Sequence, residues 1–326
     1  MSTPDRMLIE RLRNARVVAC LGHETPDADC LGSAGGLALG LRAMGKEARL
    51  LMPGGVARKL DFLLGIGELR RETEAAALGG CDLAAICDTA KEKRVNGPGG
   101  YPALQHLPIV NIDHHATNSG YGTQAWIDAT RSSASEMVFE ILQALDAPID
   151  ARLATLMYAG IFSDTQGFSL SNTTPRSLEV AAELARRGAR VAEVCERLDR
   201  SVSCAEFALL RVIYANTQLS DDGALAWSSA SYAEITGAGC NADTIDDQVE
   251  VPRSIEGIRV AVLFTEGEPG VVRMNFRGEG GLSILALAEQ FGGGGHHAAA
   301  GARQRGELRE IVTRVLVAAR EFLRTR

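Results

Sequence analysis

Four short segments of the 326-residue chain bring carboxylates and imidazoles together: His23-Glu24-Thr25-Pro26-Asp27-Ala28-Asp29, Asp88-Thr89-Ala90, Asp113-His114-His115 and Ser163-Asp164-Thr165. A lone Asp after a strand is ordinarily a turn former or a helix cap. Asp27 and Asp29, two residues apart, repel when both are ionised unless a cation or solvent lies between them. Three adjacent titratable groups, as in Asp113-His114-His115, are costly to desolvate without a metal or a charged ligand. Carboxylate oxygen and imidazole nitrogen suit Mn²⁺, with Mg²⁺ or Co²⁺ as alternatives, over a structural Zn²⁺. Cys30 and Cys87 adjoin Asp29 and Asp88 and raise the Zn²⁺ alternative. If Asp88 faces a crevice, however, strand alternation turns Cys87 into the core. The donors outnumber what one ion can use while keeping positions open for water and substrate. A pair of metals is the arrangement suited to in-line displacement at phosphorus.

The elements that must position these groups are legible as short apolar runs. Val17–Leu21, Ala48–Met52, Leu83–Cys87 and Pro108–Ile112 read as buried strands, and Leu31–Met44 as a helix stopped by Gly45. Continuous apolar strands spaced by helices predict a parallel sheet covered on both faces. In such sheets ligands collect beyond the carboxyl ends of the strands, where the first three segments fall. Helices are expected over Ser133–Leu145, Ala151–Ile161 and Pro175–Arg187, the last N-capped by Thr174. The pattern divides into a domain over 1–190, a helical connector over 191–220 and a smaller α/β domain over 221–326. In the last, strands are expected at Ala224–Ser229, Arg259–Thr265 and Val271–Phe276, and helices at Ser283–Gln290 and Glu307–Leu323.

His23-x-x-x-Asp27-x-Asp29, Asp88-Thr89-Ala90, Asp113-His114-His115 and Ser163-Asp164-Thr165 resemble the four motifs of the DHH phosphoesterases. Phe291-Gly292-Gly293-Gly294-Gly295-His296-His297-Ala298-Ala299-Ala300-Gly301 resembles the glycine-rich signature of the DHH-associated DHHA1 domain. The resemblance implies an α/β catalytic DHH domain, a smaller α/β DHHA1 domain and an active-site cleft between them. It implies one metal on His23, Asp27 and Asp88, and a second on Asp29, Asp88, His114 and Asp164. His115 would touch the scissile phosphate and protonate the leaving group, with Asp113 orienting the histidines. Arg277, Gly293, Gly294, Gly295 and His296 would bind substrate. Gly278 follows Arg277 where many relatives carry Ser, and Gly167 stands one place later than the family's usual Asp-Thr-Gly. Arg253 and Arg303 are weaker candidates, since an Arg near a loop is usually solvated.

Length and domain pair resemble the bacterial nanoRNase and 3′-phosphoadenosine-5′-phosphate (pAp) phosphatase group. That implies a Mn²⁺-dependent phosphodiesterase and phosphomonoesterase acting on short RNA, pAp or dinucleotides, and a homodimer. The alternatives are an inorganic pyrophosphatase or polyphosphatase sharing the first-domain motifs, and a nucleotide-binding regulator that has lost catalysis.

Bulk composition agrees. A net charge of −7 argues against coating long nucleic acid, including long duplex DNA, which needs many Lys and Arg. Seven cysteines without a CxxC spacing fit a reducing compartment, and the opening residues do not read as a signal peptide, so a cytoplasmic location is expected. No window of 18 apolar residues occurs, so no membrane span is expected.

Overall fold

The computed structural model describes residues 3–242, 245, 248–295 and 297–326. The chain forms two compact units, Met1–Ser201 and Val202–Arg326.

The first unit carries a seven-stranded sheet: β1 (Val17–His23), β2 (Glu47–Leu51), β3 (Arg71–Glu72), β4 (Leu83–Cys87), β5 (Val95–Asn96), β6 (Ile109–Asp113) and β7 (Gln124–Ile127). The order is β3-β2-β1-β4-β6-β7, all parallel, with β5 antiparallel to the end of β1. β4 is buried at every position and β1 at all but Val17, as expected of strands covered on both faces. One face packs Val18, Cys20, Ala85, Cys87, Val110 and Ile112 beneath helices, and the other packs Ala19, Leu21, Ala84 and Ile86 under loops. The helices are α1 (Arg6–Asn14), α2 (Ala28–Cys30), α3 (Gly36–Ala43), α4 (Asp61–Gly67), α5 (Ala134–Ala144), α6 (Ala151–Asp164), α7 (Pro175–Arg186) and α8 (Val191–Asp199). A π-helical turn over Leu31–Gly35 joins α2 to α3, so the helix expected from Leu31 starts one turn earlier. Thr174 caps α7 in a reciprocal capping box with Ser177, with Pro175 in its first turn.

The second unit holds α9 (Cys204–Asn216), β8 (Gln218–Leu219), β9 (Leu225–Ala230), α10 (Tyr232–Gly237), α11 (Glu250–Arg253), β10 (Val260–Glu268), β11 (Val271–Gly278), α12 (Leu285–Glu289), β12 (Gly294–Gly295), β13 (Ala299–Arg305) and α13 (Leu308–Arg324). Its sheet runs β12-β13-β11-β10-β9-β8. Val260, Val262, Phe264, Met274 and Phe276 bury one face against Leu287 of α12 and Ile311, Val315 and Phe322 of α13. On the other face Leu263 packs with Leu209 and Ile213 of α9 and Ile235 of α10.

The two helices read from sequence as a connector fall on opposite sides of the division. Val194 of α8 is buried in the first unit's core, and Leu209 and Ile213 of α9 in the second's. Each is amphipathic, and each finds an apolar partner on its own side. β7 and β13 escape the sequence reading because they lack a run of β-branched residues. β13 is Ala-Ala-Gly-Ala-Arg-Gln-Arg, paired along its length with β11.

Candidate metal centre

β1 and β4 are the adjacent strands at which the sheet order reverses, and their carboxyl ends deliver His23 and Asp88. His23 Nε2 lies 3.4 Å from Asp88 Oδ2 and 3.5 Å from Asp27 Oδ2. Asp27 also caps α2, its Oδ1 accepting from the Cys30 N–H at 2.9 Å. Asp29 is fully buried, and its carboxylate accepts from the Ala134 N–H at 2.7 Å and the Ser135 N–H at 2.8 Å. Those amides open α5, where the helix dipole favours an anion. Gly160 of α6 makes room for this grip: a Cβ there would fall 2.0 Å from Ser135 Oγ and 2.6 Å from Asp29 Oδ1.

His114 Nε2 gathers the remaining carboxylates, at 3.2 Å from Asp164 Oδ2, 3.6 Å from Asp88 Oδ1 and 3.9 Å from Asp29 Oδ2. Asp164 closes α6, and the turn after it runs left-handed through Gln166 (φ 44°), Gly167 (φ 66°) and Phe168 (φ 67°). The displaced glycine thus leaves Gln166 in a conformation that side chains other than Asn and Asp rarely adopt. Asp88 is itself left-handed (φ 51°) and 3 % exposed, yet its Oδ1 has no hydrogen-bond partner. A buried carboxylate oxygen without a donor is costly. Separations of 3.4–3.9 Å exceed a hydrogen bond. They fit donors sharing an ion with bonds of about 2.1 Å, which lie roughly 3 Å apart when adjacent and roughly 4 Å when opposite. The residues therefore suit a divalent cation, with Asp88 common to groups containing His23 and Cys30 on one side and Asp113, His114 and His115 on the other. A third group joins Asp29, His114 and Asp164.

Cys87 is fully buried in the core, as strand alternation predicts. Cys30 is also fully buried, but its sulfur lies within 4.8 Å of donor atoms of His23 and Asp88.

Among the described residues, the hydrogen bond and ion pair that Asp113 makes to a histidine go to His115. Its Oδ1 lies 2.7 Å from His115 Nδ1, and its Oδ2 accepts from Asn118 Nδ2. Asn118 also donates to the Thr89 carbonyl at 3.2 Å, and Tyr121 Oη donates to the same carbonyl at 2.8 Å. Asn111 adds hydrogen bonds to Asn118 Oδ1 and the Tyr121 carbonyl. This bracing network was missed in the sequence. Its one signal is Asn111, a polar residue in the otherwise apolar run Pro108–Ile112.

The electrostatics are those of opposite charges held in a dry site. Burial disfavours the His23 cation, but the Asp27 and Asp88 carboxylates outweigh it and hold the imidazolium up to about 10. His114 is raised likewise, against burial, by Asp164 and Asp88, and His115, also against burial, chiefly by Asp113. Burial opposes ionisation of Asp88, yet His114 and His23 bring it below the usual carboxylate range. Burial raises Asp164 to about 6 despite His114, and raises Asp29 well above the ordinary value together with Asp164 and Asp88.

In the second unit, Arg277 is the penultimate residue of β11, with Nε 3.6 Å from Glu250 Oε1. Arg253 is not a solvated loop residue: it pairs with Glu250 and Glu279. The glycine-rich segment is structured. The Gly292 and Gly293 N–H groups donate to the Glu289 and Ala288 carbonyls and close α12, so the Gly293 amide is already engaged. Gly294 and Gly295 form β12 against β13, and a Cβ on Gly295 would fall 2.6 Å from the Ala299 carbonyl. His296 lies outside the described residues.

Residues 17–161 match the family model described as the DHH family, N-terminal domain, and residues 228–324 match the DHHA1 domain. A relative from Thermus thermophilus named bifunctional oligoribonuclease and PAP phosphatase NrnA is 35% identical over 306 residues, covering 92% of this chain and 88% of its own. The chain belongs to the DHH family. The Bacillus subtilis relative of the same name is 33% identical, over 86% of this chain and 87% of its own. A crystal structure of an exopolyphosphatase-related protein from Bacteroides fragilis shares the fold, with a TM-score of 0.90 at 20% identity over 99% of this chain and 98% of that one. DHH phosphoesterases are metal-dependent hydrolases, and the acid and imidazole cluster of this member could hold a metal ion.

Proposed function

We propose that this protein hydrolyses short oligoribonucleotides to mononucleotides and removes the 3′-phosphate of pAp, using two divalent ions of which Mn²⁺ suits the donor set best. The observation that carries the reading is the buried carboxylate of Asp88, whose Oδ1 has no hydrogen bond and faces His114 and His115 while Oδ2 faces His23. It is supported by the two relatives named for these activities, each matched across most of its length. His23, Asp27 and Asp88 would hold one ion, and Asp29, Asp88, His114 and Asp164 the other. Bound ions would neutralise phosphoryl charge and lower the pKa of the attacking water. His115 carries the proton: Nδ1 faces Asp113, which favours the imidazolium and leaves Nε2 to protonate the departing ester oxygen as the P–O bond breaks. Asn118 fixes Asp113, so the acid is presented in one orientation. Arg277 and the Gly294-Gly295 edge, with His296, bind the substrate's remaining phosphate or nucleotide. A cytoplasmic setting is part of this proposal, and the free cysteines of the described residues fit a reducing compartment.

The test is a product assay in Mn²⁺ comparing pAp, a 5′-labelled RNA dinucleotide and pyrophosphate. Phosphate from pAp and mononucleotides from the dinucleotide, absent in Asp88→Ala, are expected. Turnover of pyrophosphate alone would overturn the nucleotide reading.

A further inference from the structure

Antiparallel pairing of β11 with β13 sets Arg273 directly opposite Arg303, and Val271 opposite Arg305. Strand alternation puts Arg273, Arg277, Arg303 and Arg305 on one face of the sheet, since Val272, Met274, Phe276, Ala300 and Ala302 occupy the core facing α12 and α13. Helices α9 and α10 cover this face over β9 and β10, through Leu263. Arg303 and Arg305 are exposed and Arg273 is half-buried.

Like charges directly opposite on neighbouring strands repel, and among the described residues no carboxylate pairs with Arg273, Arg303 or Arg305. Arg273 donates to Asn275 Oδ1 at 3.2 Å and to the Ile245 carbonyl at 3.3 Å, both neutral acceptors. Among the described residues, the side chains of Arg303 and Arg305 have neither a hydrogen bond nor an ion pair. The other arginines near this face behave differently: Arg253 and Arg277 share Glu250. Glu266, at the bulged end of β10, is taken up by the Tyr232 and Gly270 amides. Three guanidinium groups carried on one rigid strand pair, Arg273 held by neutral acceptors and Arg303 and Arg305 with all side-chain donors available, form a site for an anion with several oxygens.

We propose that Arg273, Arg303 and Arg305 form a phosphate subsite for the backbone of a short single-stranded oligoribonucleotide, beyond the part of the substrate held at Arg277. Arg273 lies four residues before Arg277, which on an extended strand is roughly 13 Å. A strand of several nucleotides spans that interval, whereas pAp ends short of it. The subsite therefore sets how the enzyme ranks substrates by length. This inference rests on the nucleotide phosphoesterase reading above.

The experiment uses the full chain in Mn²⁺ with the exposed pair replaced, Arg303→Ala with Arg305→Ala, and Arg309→Ala on α13 as a control on the opposite side of the sheet. The readout is kcat/KM for an RNA pentanucleotide divided by that for pAp. The double variant is expected to lower this ratio roughly tenfold, the usual scale of one or two charge-assisted phosphate hydrogen bonds. The salt slope of log KM for the pentanucleotide should shrink by about 0.7 for each phosphate that is no longer neutralised. Arg303→Lys should restore part of the ratio, and Arg309→Ala should leave it unchanged. An unchanged ratio and salt slope, or an equal fall for both substrates, would overturn the subsite while leaving the activity assignment standing. Failure of the unaltered protein to turn over either substrate would instead overturn the underlying reading.

Discussion

Asp113 Oδ1 lies 2.7 Å from His115 Nδ1, and the same carboxylate is braced by Asn118 through its other oxygen. The pairing raises the His115 pKa against the effect of burial, and leaves Nε2 on the opposite edge of the ring. Replacing Asp113 with Asn keeps the shape and removes the charge that favours the cation. We expect kcat for pAp to fall roughly 10²-fold, within the range for general acid catalysis, with metal content retained. The sign for pH follows from the same pairing: with its partner neutralised, the His115 pKa drops, so the alkaline limb of the kcat profile should move to lower pH. A profile that does not move would separate His115 from proton transfer.

Gly160 and Gly65 provide a matched pair. A Cβ at Gly160 collides with Ser135 Oγ and Asp29 Oδ1, whereas one at Gly65 in α4 meets nothing within 4 Å. Gly160→Ala should cost about 1–3 kcal/mol through overpacking and weaken metal binding by displacing Asp29. Gly65→Ala should stabilise by about 0.5–1 kcal/mol, as expected for an exposed helical glycine. Thermal melts and metal analysis of the two variants check this; normal metal affinity in Gly160→Ala would show that Asp29 tolerates the shift.

The metal-free site carries its own pH dependence. The folded pKa of His23 is raised to about 10 from 6.5, so its ion pairs stabilise the metal-free protein fully below about 6.5, and this contribution is lost as pH rises through about 10. With His23 as a ligand, as proposed, metal binding displaces that proton, so affinity should rise with pH over the same window. The difference in Tm between Mn²⁺-saturated and chelated protein should widen from about pH 6 to about pH 9. A gap that stays constant would remove His23 from the metal ligands.

If the Arg277 guanidinium binds a phosphate remote from the bond being broken, as proposed, Arg277→Ala should mainly raise KM for pAp, by roughly tenfold. Its side chain is anchored by Glu250 at 3.6 Å, so Glu250→Gln is expected to raise KM less than the arginine variant does. Equal KM for Arg277→Ala and the unaltered protein would place Arg277 outside the substrate site.

Much of this was legible in the sequence because the first unit obeys a simple rule. Buried parallel strands announce themselves as apolar runs, and the residue after each run lies at the ligand-bearing edge of the sheet. His23, Asp88 and Asp113 could be placed on that basis alone. Asp29 was named, but its environment was not: the amides of Ala134 and Ser135 that grip it are more than a hundred residues away and carry no side-chain signature. Asn118 was invisible for a related reason, since a loop Asn looks like a turn former until the strand beside it supplies a partner. In the second unit, the run Gly292–Gly295 suggested freedom to approach an anion. The structure adds that Gly293 and Gly295 are needed because neighbouring backbone lies where a Cβ would be. β13 hid because alanine, glycine and arginine do not spell a strand, and the Arg273–Arg303 register could not be read until it was found.

The most direct test of the account is Mn²⁺ titration by calorimetry, with pAp turnover measured on the same samples, for the unaltered protein and Asp88→Asn. If Asp88 is the shared ligand, the unaltered protein takes up two ions per chain and releases phosphate. The folded variant, verified by circular dichroism, should lose high-affinity uptake of both ions and all turnover. Retention of two tightly bound ions, or of turnover, in Asp88→Asn would contradict the assignment of this centre.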